Sequence, residues 1–329
     1  MMRNLVISTL AALAATLLAG VAHGEDKPAK QAFGAETLPS AGTPQPIGFY
    51  AKGCLAGGEA IPTDGPHWQV MRPSRNRRWG DPELISYIEN LSRKAAAAGW
   101  PGLLIGDMSQ PRGGPMLSGH ASHQIGLDVD IWFRPMPGYT LSHDEREKWA
   151  ATSVLRPHSL YVDPSVWTPA YTGLLKAAAT DPGVERIFVH PGVKKLLCET
   201  VHGDRSWLHE IRPYWGHDDH FHVRLACPAG SPTCKRQASV PAGDGCDKSL
   251  AWWFTAEPWK PAPKPTRPVK PRVTMVSDLP PACRYVLDAP AAASAAAATY
   301  HAGDAAPIAA GVQQSYANVP LPASRPETR

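Results

Sequence analysis

Thiolate pairs at metal-site spacing are missing from this 329-residue chain. None of its six cysteines stands in a Cys-x-x-Cys pair, which argues against a thiolate zinc site or a dithiol redox motif. Charge of one sign is not in excess: 33 Lys and Arg against 29 Asp and Glu leave +4, too little for a chain committed to nucleic acid. With 43% hydrophobic, 19% charged and 8% aromatic residues and no internal repeat, collagen-like, coiled-coil and wholly disordered chains are excluded. Past residue 22 no run is long and apolar enough to span a bilayer. Proline is in surplus, 35 residues spread unevenly, and the length sets one or two domains of about 150 residues.

The N-terminus carries a positive start at Arg3, an uncharged Leu5 to Ala22, the small residues Ala22 and Gly24, and then Glu25 and Asp26. That layout reads as a secretory signal over residues 1–24 rather than a membrane anchor. Cys54, Cys198, Cys227, Cys234, Cys246 and Cys283 all follow it. An even count in an exported chain reads as three disulfides, among about 15 connectivities. Cys227 and Cys234 flank a turn-rich Pro-Ala-Gly-Ser-Pro-Thr and suit a small closed loop, while spacing leaves the other four open.

Residues 25–46, rich in Pro, Lys, Ala and Gly, read as a flexible arm. Residues 47–255 carry alternating helix and strand signals. Asp81-Pro82 opens a helix with Leu84, Ile85, Ile88 and Leu91 at helical spacing and Gly99 at its end. Leu103-Leu104-Ile105 and Ile187-Phe188-Val189 read as short strands, and Thr168-Pro169 opens a second helix. Leu127, Val129 and Ile131 alternate with Asp128 and Asp130, and Phe221, Val223 and Leu225 with His220, His222 and Arg224, the pattern of strands with one apolar face. The fold class is α+β. Residues 256–285 form a basic, proline-rich strap whose far end, at Cys283, suits a disulfide tie. Residues 286–329 are Ala-rich and read as a disordered tail.

Five of the 13 histidines fall in two clusters, Gly119-His120-Ala121-Ser122-His123-Gln124-Ile125-Gly126-Leu127-Asp128-Val129-Asp130 and Gly216-His217-Asp218-Asp219-His220-Phe221-His222-Val223-Arg224. Imidazole and carboxylate are ligands zinc takes, and a hydrolytic site needs three of them plus an open position. His220 and His222, two apart on a strand, share a face. A lone His-x-His is often a solvated polar face, but two such clusters in one chain favour a metal site. His123 and Asp130 lie up to about 25 Å apart if extended, so two ligands of one ion require the chain to fold back, with Gly126 as the natural turn. Nitrogen and oxygen ligands with one carboxylate suit zinc, and cobalt or manganese fit the same cage.

The order His-x-x-Gly-x-Asp-x-Asp, then His-x-His about ninety residues on, resembles the LAS peptidases: lysostaphin-type endopeptidases, D-Ala-D-Ala metallopeptidases and the non-catalytic Hedgehog signalling domain. The longer strings Leu104-Ile105-Gly106-Asp107-Met108, Gly119-His120-Ala121-Ser122-His123-Gln124, Gly126-Leu127-Asp128-Val129-Asp130-Ile131 and His222-Val223-Arg224-Leu225 are similar to the penicillin-insensitive murein endopeptidases of the MepA type, over roughly residues 47–285. The resemblance implies a LAS-type core, a small antiparallel sheet flanked by helices and long disulfide-tied loops. It implies one Zn2+ held by His123, Asp130 and His222, with His120 a further ligand or a group just behind the ligands. His220 matches the histidine that assists catalysis, and His217 another lining the cleft, where Trp132 and Trp215 are candidate substrate contacts or ordinary packing. The family's disulfide pattern pairs Cys54 with Cys283, Cys198 with Cys246 and Cys227 with Cys234. Its second, inter-subunit zinc site does not map onto the shorter segment from Arg156 to Asp163, so none is expected and a homodimer is left open.

The function so implied is a periplasmic zinc endopeptidase acting on D-alanyl–meso-diaminopimelyl cross-links of peptidoglycan, insensitive to β-lactams because it uses no serine nucleophile. The partner is peptidoglycan, with no nucleic acid and no membrane span after signal removal. The rivals are a D-Ala-D-Ala dipeptidase or carboxypeptidase on the same core and a non-catalytic zinc-containing binding module. Against the module stand His217 and His220, which a purely structural zinc does not need.

Overall fold

In the computed structural model, which describes residues 26–261, 263, 267, 270 and 272–301, the first helix of the described residues is α1 (Ala29–Gly34). The segment read as a signal, residues 1–24, lies outside the described residues, as does the tail beyond residue 301. Among the described residues no helix is long and apolar enough to cross a membrane. An antiparallel hairpin follows, β1 (Gln45–Phe49) and β2 (Lys52–Ala56). β3 (Glu59–Ala60) pairs with β6 (Trp79–Gly80), and between them lie β4 (Asp64–Gly65) and β5 (Trp68–Val70). Next come α2 (Pro82–Ala97), β7 (Leu103–Ile105), β8 (Asp128–Trp132), α3 (His143–Lys148) and α4 (Pro169–Ala179). The domain continues with β9 (Val184–Val189), α5 (Pro191–Thr200), β10 (Ile211–Pro213), β11 (His220–Leu225), α6 (Lys248–Trp252) and α7 (Ala282–Asp288).

Seven strands form one sheet in the order β10-β9-β11-β8-β7-β5-β4. The four central strands, β9-β11-β8-β7, are antiparallel. Parallel pairs, β10 with β9 and β5 with β7, extend the sheet on both sides. The fold is α+β.

Alternation along the central strands divides the sheet into two chemically different faces. Val129, Ile131, Phe221 and Val223 share one buried cluster with Leu84, Ile85, Ile88 and Leu91 of α2 and with Leu174, Leu175 and Ala178 of α4. α2 forms where the sequence directs it. Asp81 caps its N-terminus, Pro82 takes the first turn and the apolar stripe faces the sheet. Asp128, Asp130, His220, His222 and Arg224 are left to the opposite face.

The arm expected to be flexible over residues 25–46 is instead packed in its described part. Ala29 and Phe33 of α1 are buried with Ile47, Cys54, Val276, Leu279, Cys283 and Val286 in a second core. Backbone bonds join arm and strap, Ala29 N–H to Thr274 O at 2.8 Å and Val276 N–H to Lys27 O at 2.9 Å. A single Phe33 anchors a stretch whose average composition reads as unstructured.

The tail also departs from expectation in its described part, residues 286–301. Backbone groups pair it to Ser40 and Ala60, and the buried Arg112 guanidinium reaches the carbonyls of Val286, Leu287 and Ala289. Alanine supplies little apolar bulk but lets backbones approach closely, and these hydrogen bonds hold the segment. Cys54 is bonded to Cys283, Cys198 to Cys246 and Cys227 to Cys234.

The buried cap Asp81 has a consequence for stability. Burial raises its carboxyl to about 7; the Glu83 amide opposes the shift, and the charges of Glu83 and Glu59 add to it. An unfolded Asp titrates near about 3.9. Between about pH 4 and 7 the folded chain therefore keeps a proton that the unfolded chain has released, and stability falls as pH rises through that window. Asp81→Asn keeps a capping side chain and removes the charge. It should match the parent at pH 4 and exceed it by about 2–4 kcal/mol at pH 8. Urea unfolding across that range checks this, and parallel pH profiles for the two proteins would contradict it.

Candidate metal centre

β8 and β11 pair with His222 directly opposite Asp130 and Arg224 opposite Asp128. The loop before β8 folds back at Gly126, whose φ of +74° is glycine territory and where a Cβ would come within 2.7 Å of Leu55. This return brings His123 onto the same point. His123 Nε2, His222 Nδ1 and Asp130 Oδ1 form a nearly equilateral triangle with sides of 3.2, 3.2 and 3.4 Å. Ligand atoms about 2.0–2.2 Å from a tetrahedral ion lie about 3.3–3.6 Å from one another, so the edges suit one ion.

Hydrogen bonding tests the fit independently. Asp130 Oδ1 is buried without a hydrogen-bond partner. His222 has its other nitrogen, Nε2, at 2.9 Å from Asp128 Oδ1, which places the proton there and turns the lone pair of Nδ1 to the triangle. Lone pairs of Asp130 Oδ1 and His222 Nδ1 thus converge with His123 Nε2, whose other nitrogen is buried without a partner, where a cation would satisfy all three. His120, His123 and Asp130 each offer a ligand atom within 4.8 Å of one another, but the tighter group contains His222 in place of His120. His120 turns Nε2 to Asp107 Oδ2 at 3.0 Å and Nδ1 to the second oxygen of Asp130, Oδ2, at 3.5 Å.

The two other histidines stand on the open side. His220 binds Asp219 Oδ1 through Nδ1 at 2.6 Å and holds Nε2 3.7 Å from Asp130 Oδ1. His217 has Nδ1 on the Trp215 carbonyl at 2.7 Å, and its ring centre lies 4.9 Å from that of His220. Backbone bonds pin the turn that carries them: the carbonyls of His217, Asp218 and Asp219 accept from His190, Val154 and Phe133 at 2.9, 2.8 and 2.9 Å. His123 and His217 both sit at positive φ, 64° and 59°, a conformation that costs a non-glycine residue energy and is held by its surroundings.

Burial opposes ionisation throughout the site, and neighbouring charges decide the outcome. Asp128, buried, is held well below the usual carboxylate range by Arg224 and His222, and Asp130 likewise by His123 and His220. At Asp107 the hydrogen bonds from His120 and Arg77 and the charges of Arg75 and Arg77 overcome burial and hold the carboxyl at about 2. Burial lowers His217 to about 3, with His220 and His222 adding to the effect. Burial also lowers His220, but Asp130 and Asp219 outweigh it and raise the group to about 9.

All six residues singled out by sequence, His120, His123, Asp130, His217, His220 and His222, meet here. Trp132 is buried behind Arg72, whose guanidinium lies 5.4 Å from the ring centre. Trp215 is 44% exposed, with its Nε1 tied to Pro258 O at 2.9 Å. Three carboxylates that hold histidines, Asp107, Asp128 and Asp219, received no role in the sequence reading. Their signal was faint: Asp107 follows the buried β7 by two residues, and Asp219 immediately precedes His220.

A buried nitrogen–oxygen donor set beside a carboxylate-held histidine defines a candidate metallohydrolase centre. A family model described as penicillin-insensitive murein endopeptidase matches residues 46–288. Relatives bearing that name include one from Haemophilus influenzae, 46% identical over 249 residues, which cover 76% of this chain and 84% of the relative. One from Yersinia enterocolitica is 43% identical over 260 residues, 77% and 88% of the two chains. Another, from Pectobacterium atrosepticum, is 40% identical over 297 residues, 87% and 98%. The chain belongs to the penicillin-insensitive murein endopeptidase family.

Asp128 and Arg224 form a buried ion pair at 2.7 Å beneath the triangle. Removing one partner leaves the other charge buried and uncompensated. Asp128→Ala should destabilise the metal-free protein by about 3–5 kcal/mol, read by urea unfolding. A loss below about 1 kcal/mol, the scale of an exposed pair, would show that Arg224 finds other compensation.

Proposed function

We propose that this protein is an exported zinc metallo-endopeptidase that hydrolyses D-alanyl–meso-diaminopimelyl cross-links of peptidoglycan in the periplasm and is insensitive to β-lactams. The observation that carries the reading is the triangle of His123, Asp130 and His222, whose edges and orphaned Asp130 oxygen suit a tetrahedral cation. Two imidazoles and one carboxylate are donors that zinc takes, and three protein ligands leave one position open. Zinc bound there supplies Lewis acidity, which acidifies water towards a pKa of about 7 and polarises a scissile carbonyl.

The remaining chemistry belongs to the chain. His220, with Nδ1 fixed by Asp219, presents Nε2 to the site, where it holds or passes on a proton during attack and departure of the leaving amine. His217 lines the cleft beside it and positions the substrate. We read His120 as holding Asp130 through its second oxygen rather than as a ligand. No serine nucleophile enters this scheme, so a β-lactam finds nothing to acylate. Export follows from the signal-like residues 1–24 and from a substrate outside the inner membrane.

Digestion of purified sacculi by the zinc-loaded protein should convert cross-linked muropeptide dimers to monomers, identified by mass. Free D-alanine in place of monomers would mean a carboxypeptidase. His222→Ala should lose both zinc and activity. His220→Ala should keep one zinc and lose about 10²–10⁴-fold in kcat. Full turnover with one bound zinc in His222→Ala would overturn the ligand set, and loss of zinc from His220→Ala would make that residue a ligand.

A further inference from the structure

A pocket of about 520 Å³ is lined in part by His120, and neither His217 nor His220 lines it. Its inner wall is the loop carrying Gly119 and His120. Its outer wall belongs to the unit closed by Cys54–Cys283 and contributes Lys30 of α1, Lys52 of the hairpin, Arg272 and Asp278. The wall is fixed rather than loosely apposed. Ala29 and Phe33, on either side of Lys30, are buried in the second core, and Lys52 opens a paired strand.

Charge around this pocket is one-sided. Arg272 is engaged by Asp278, while Lys30 and Lys52 are exposed and have no ion-pair partner among the described residues. On the other side of the same loop, Arg75 and Arg77 share the single Asp107 oxygen that His120 also binds, at 3.1 and 2.8 Å, and Arg77 holds the Ser118 carbonyl at 2.9 Å. Within the pocket three cationic side chains, Lys30, Lys52 and Arg272, stand against one carboxylate, Asp278. A concave surface with an excess of one sign of charge concentrates ligands of the other sign, and the volume is that of a small-ligand pocket.

We propose that this pocket binds the carboxylate-bearing stem peptide on one side of the scissile cross-link, with Lys30 and Lys52 as its specificity-determining residues. The assignment rests on the endopeptidase reading for the identity of the peptide. The stem peptides of peptidoglycan carry free carboxylates on their D-glutamate and diaminopimelate residues, and the pocket offers two exposed ammonium groups, of which Lys52 shares the field of Asp278 with Arg272 and neither is in an ion pair among the described residues. It also gives the segments packed around the Cys54–Cys283 bridge a role as one wall of a binding site.

The probe is the stem tripeptide L-Ala-γ-D-Glu-meso-diaminopimelate, titrated calorimetrically into the full disulfide-bonded chain at low salt. Lys30→Glu/Lys52→Glu should weaken binding about 10-fold or more, and Lys30→Gln/Lys52→Gln by less. The same peptide with its carboxylates amidated should bind parent and variants equally weakly. Raising the salt should weaken the parent towards the variants. KM for the cross-linked dimer should rise with the tripeptide Kd while kcat stays near the parent value. Parent-like tripeptide binding by both double variants, or no binding by the parent at millimolar peptide, overturns the pocket assignment. If the parent binds through the two lysines but never cuts the dimer, the endopeptidase reading fails and the pocket assignment stands.

Discussion

The rest of the site depends on the register between β8 and β11. With His222 opposite Asp130 and Arg224 opposite Asp128, three imidazole–carboxylate contacts and one guanidinium–carboxylate contact form across a single strand pair. A slip of one residue would send all four side chains to the apolar face and Val129 and Val223 to the polar one. Register is therefore enforced twice, by the apolar packing beneath α2 and α4 and by charge pairing above. The charged half is costly in isolation, because Asp128 and Asp130 are buried almost completely. Each is tolerated only through its partners.

Partnership follows one pattern repeated from three parts of the chain. His222 is held by Asp128, His220 by Asp219 and His120 by Asp107, each through the nitrogen that faces away from the centre. A carboxylate at the far nitrogen fixes ring orientation and tautomer and makes the near nitrogen a better donor of electrons or acceptor of protons. The three carboxylates differ in what supports them. Asp128 has Arg224 beneath it, Asp107 has Arg75 and Arg77, and Asp219 stands on a turn pinned by backbone bonds. His222, buried, has a buried ion pair behind it, whereas His120 and His220 are equally exposed and differ in their carboxylates, buried Asp107 for one and half-exposed Asp219 for the other.

Much of this was legible in the sequence, and the exceptions share a cause. Period-two alternation in β8 and β11 and the capped apolar stripe of α2 depend on local spacing, which a sequence displays directly. The acidic face of β8 was legible as a face but not as a buried one, because burial is decided by what lies across the sheet. Asp107 and Asp219 are ordinary polar residues until long-range folding sets them against His120 and His220. The arm was misread for a related reason. Composition averages over Pro, Lys and Gly, but Ala29 and Phe33 share a core with Val276, Leu279 and Val286, and backbone bonds to the strap add to it. The left-handed conformations of His123 and His217 carry only a weak sequence signal, since histidine enters that region less readily than glycine.

The second core and the ligand loop are mechanically linked through the hairpin that carries Cys54. Gln124, next to His123, receives the Gly53 amide on its side chain at 3.1 Å and gives its own amide to Tyr50 O at 3.2 Å. Leu55 N–H reaches Arg112 O at 3.0 Å, and Gly114 N–H returns to Gln124 O at 2.9 Å. The loop bearing His120 and His123 thus hangs on the β1–β2 hairpin, which Cys54 joins to Cys283 across 229 residues of sequence. In the chain-entropy view such a closure contributes up to about 5 kcal/mol against global unfolding. Its local effect matters more for the site. Terminal segments open at low cost in most folds, and here an opening arm or strap would release the hairpin and then the ligand loop. The Cys54–Cys283 bridge keeps the hairpin joined to α7, and Ile125 and Leu127 anchor the loop in the main core, so the loop can hold His123 in a left-handed conformation beside Asp130.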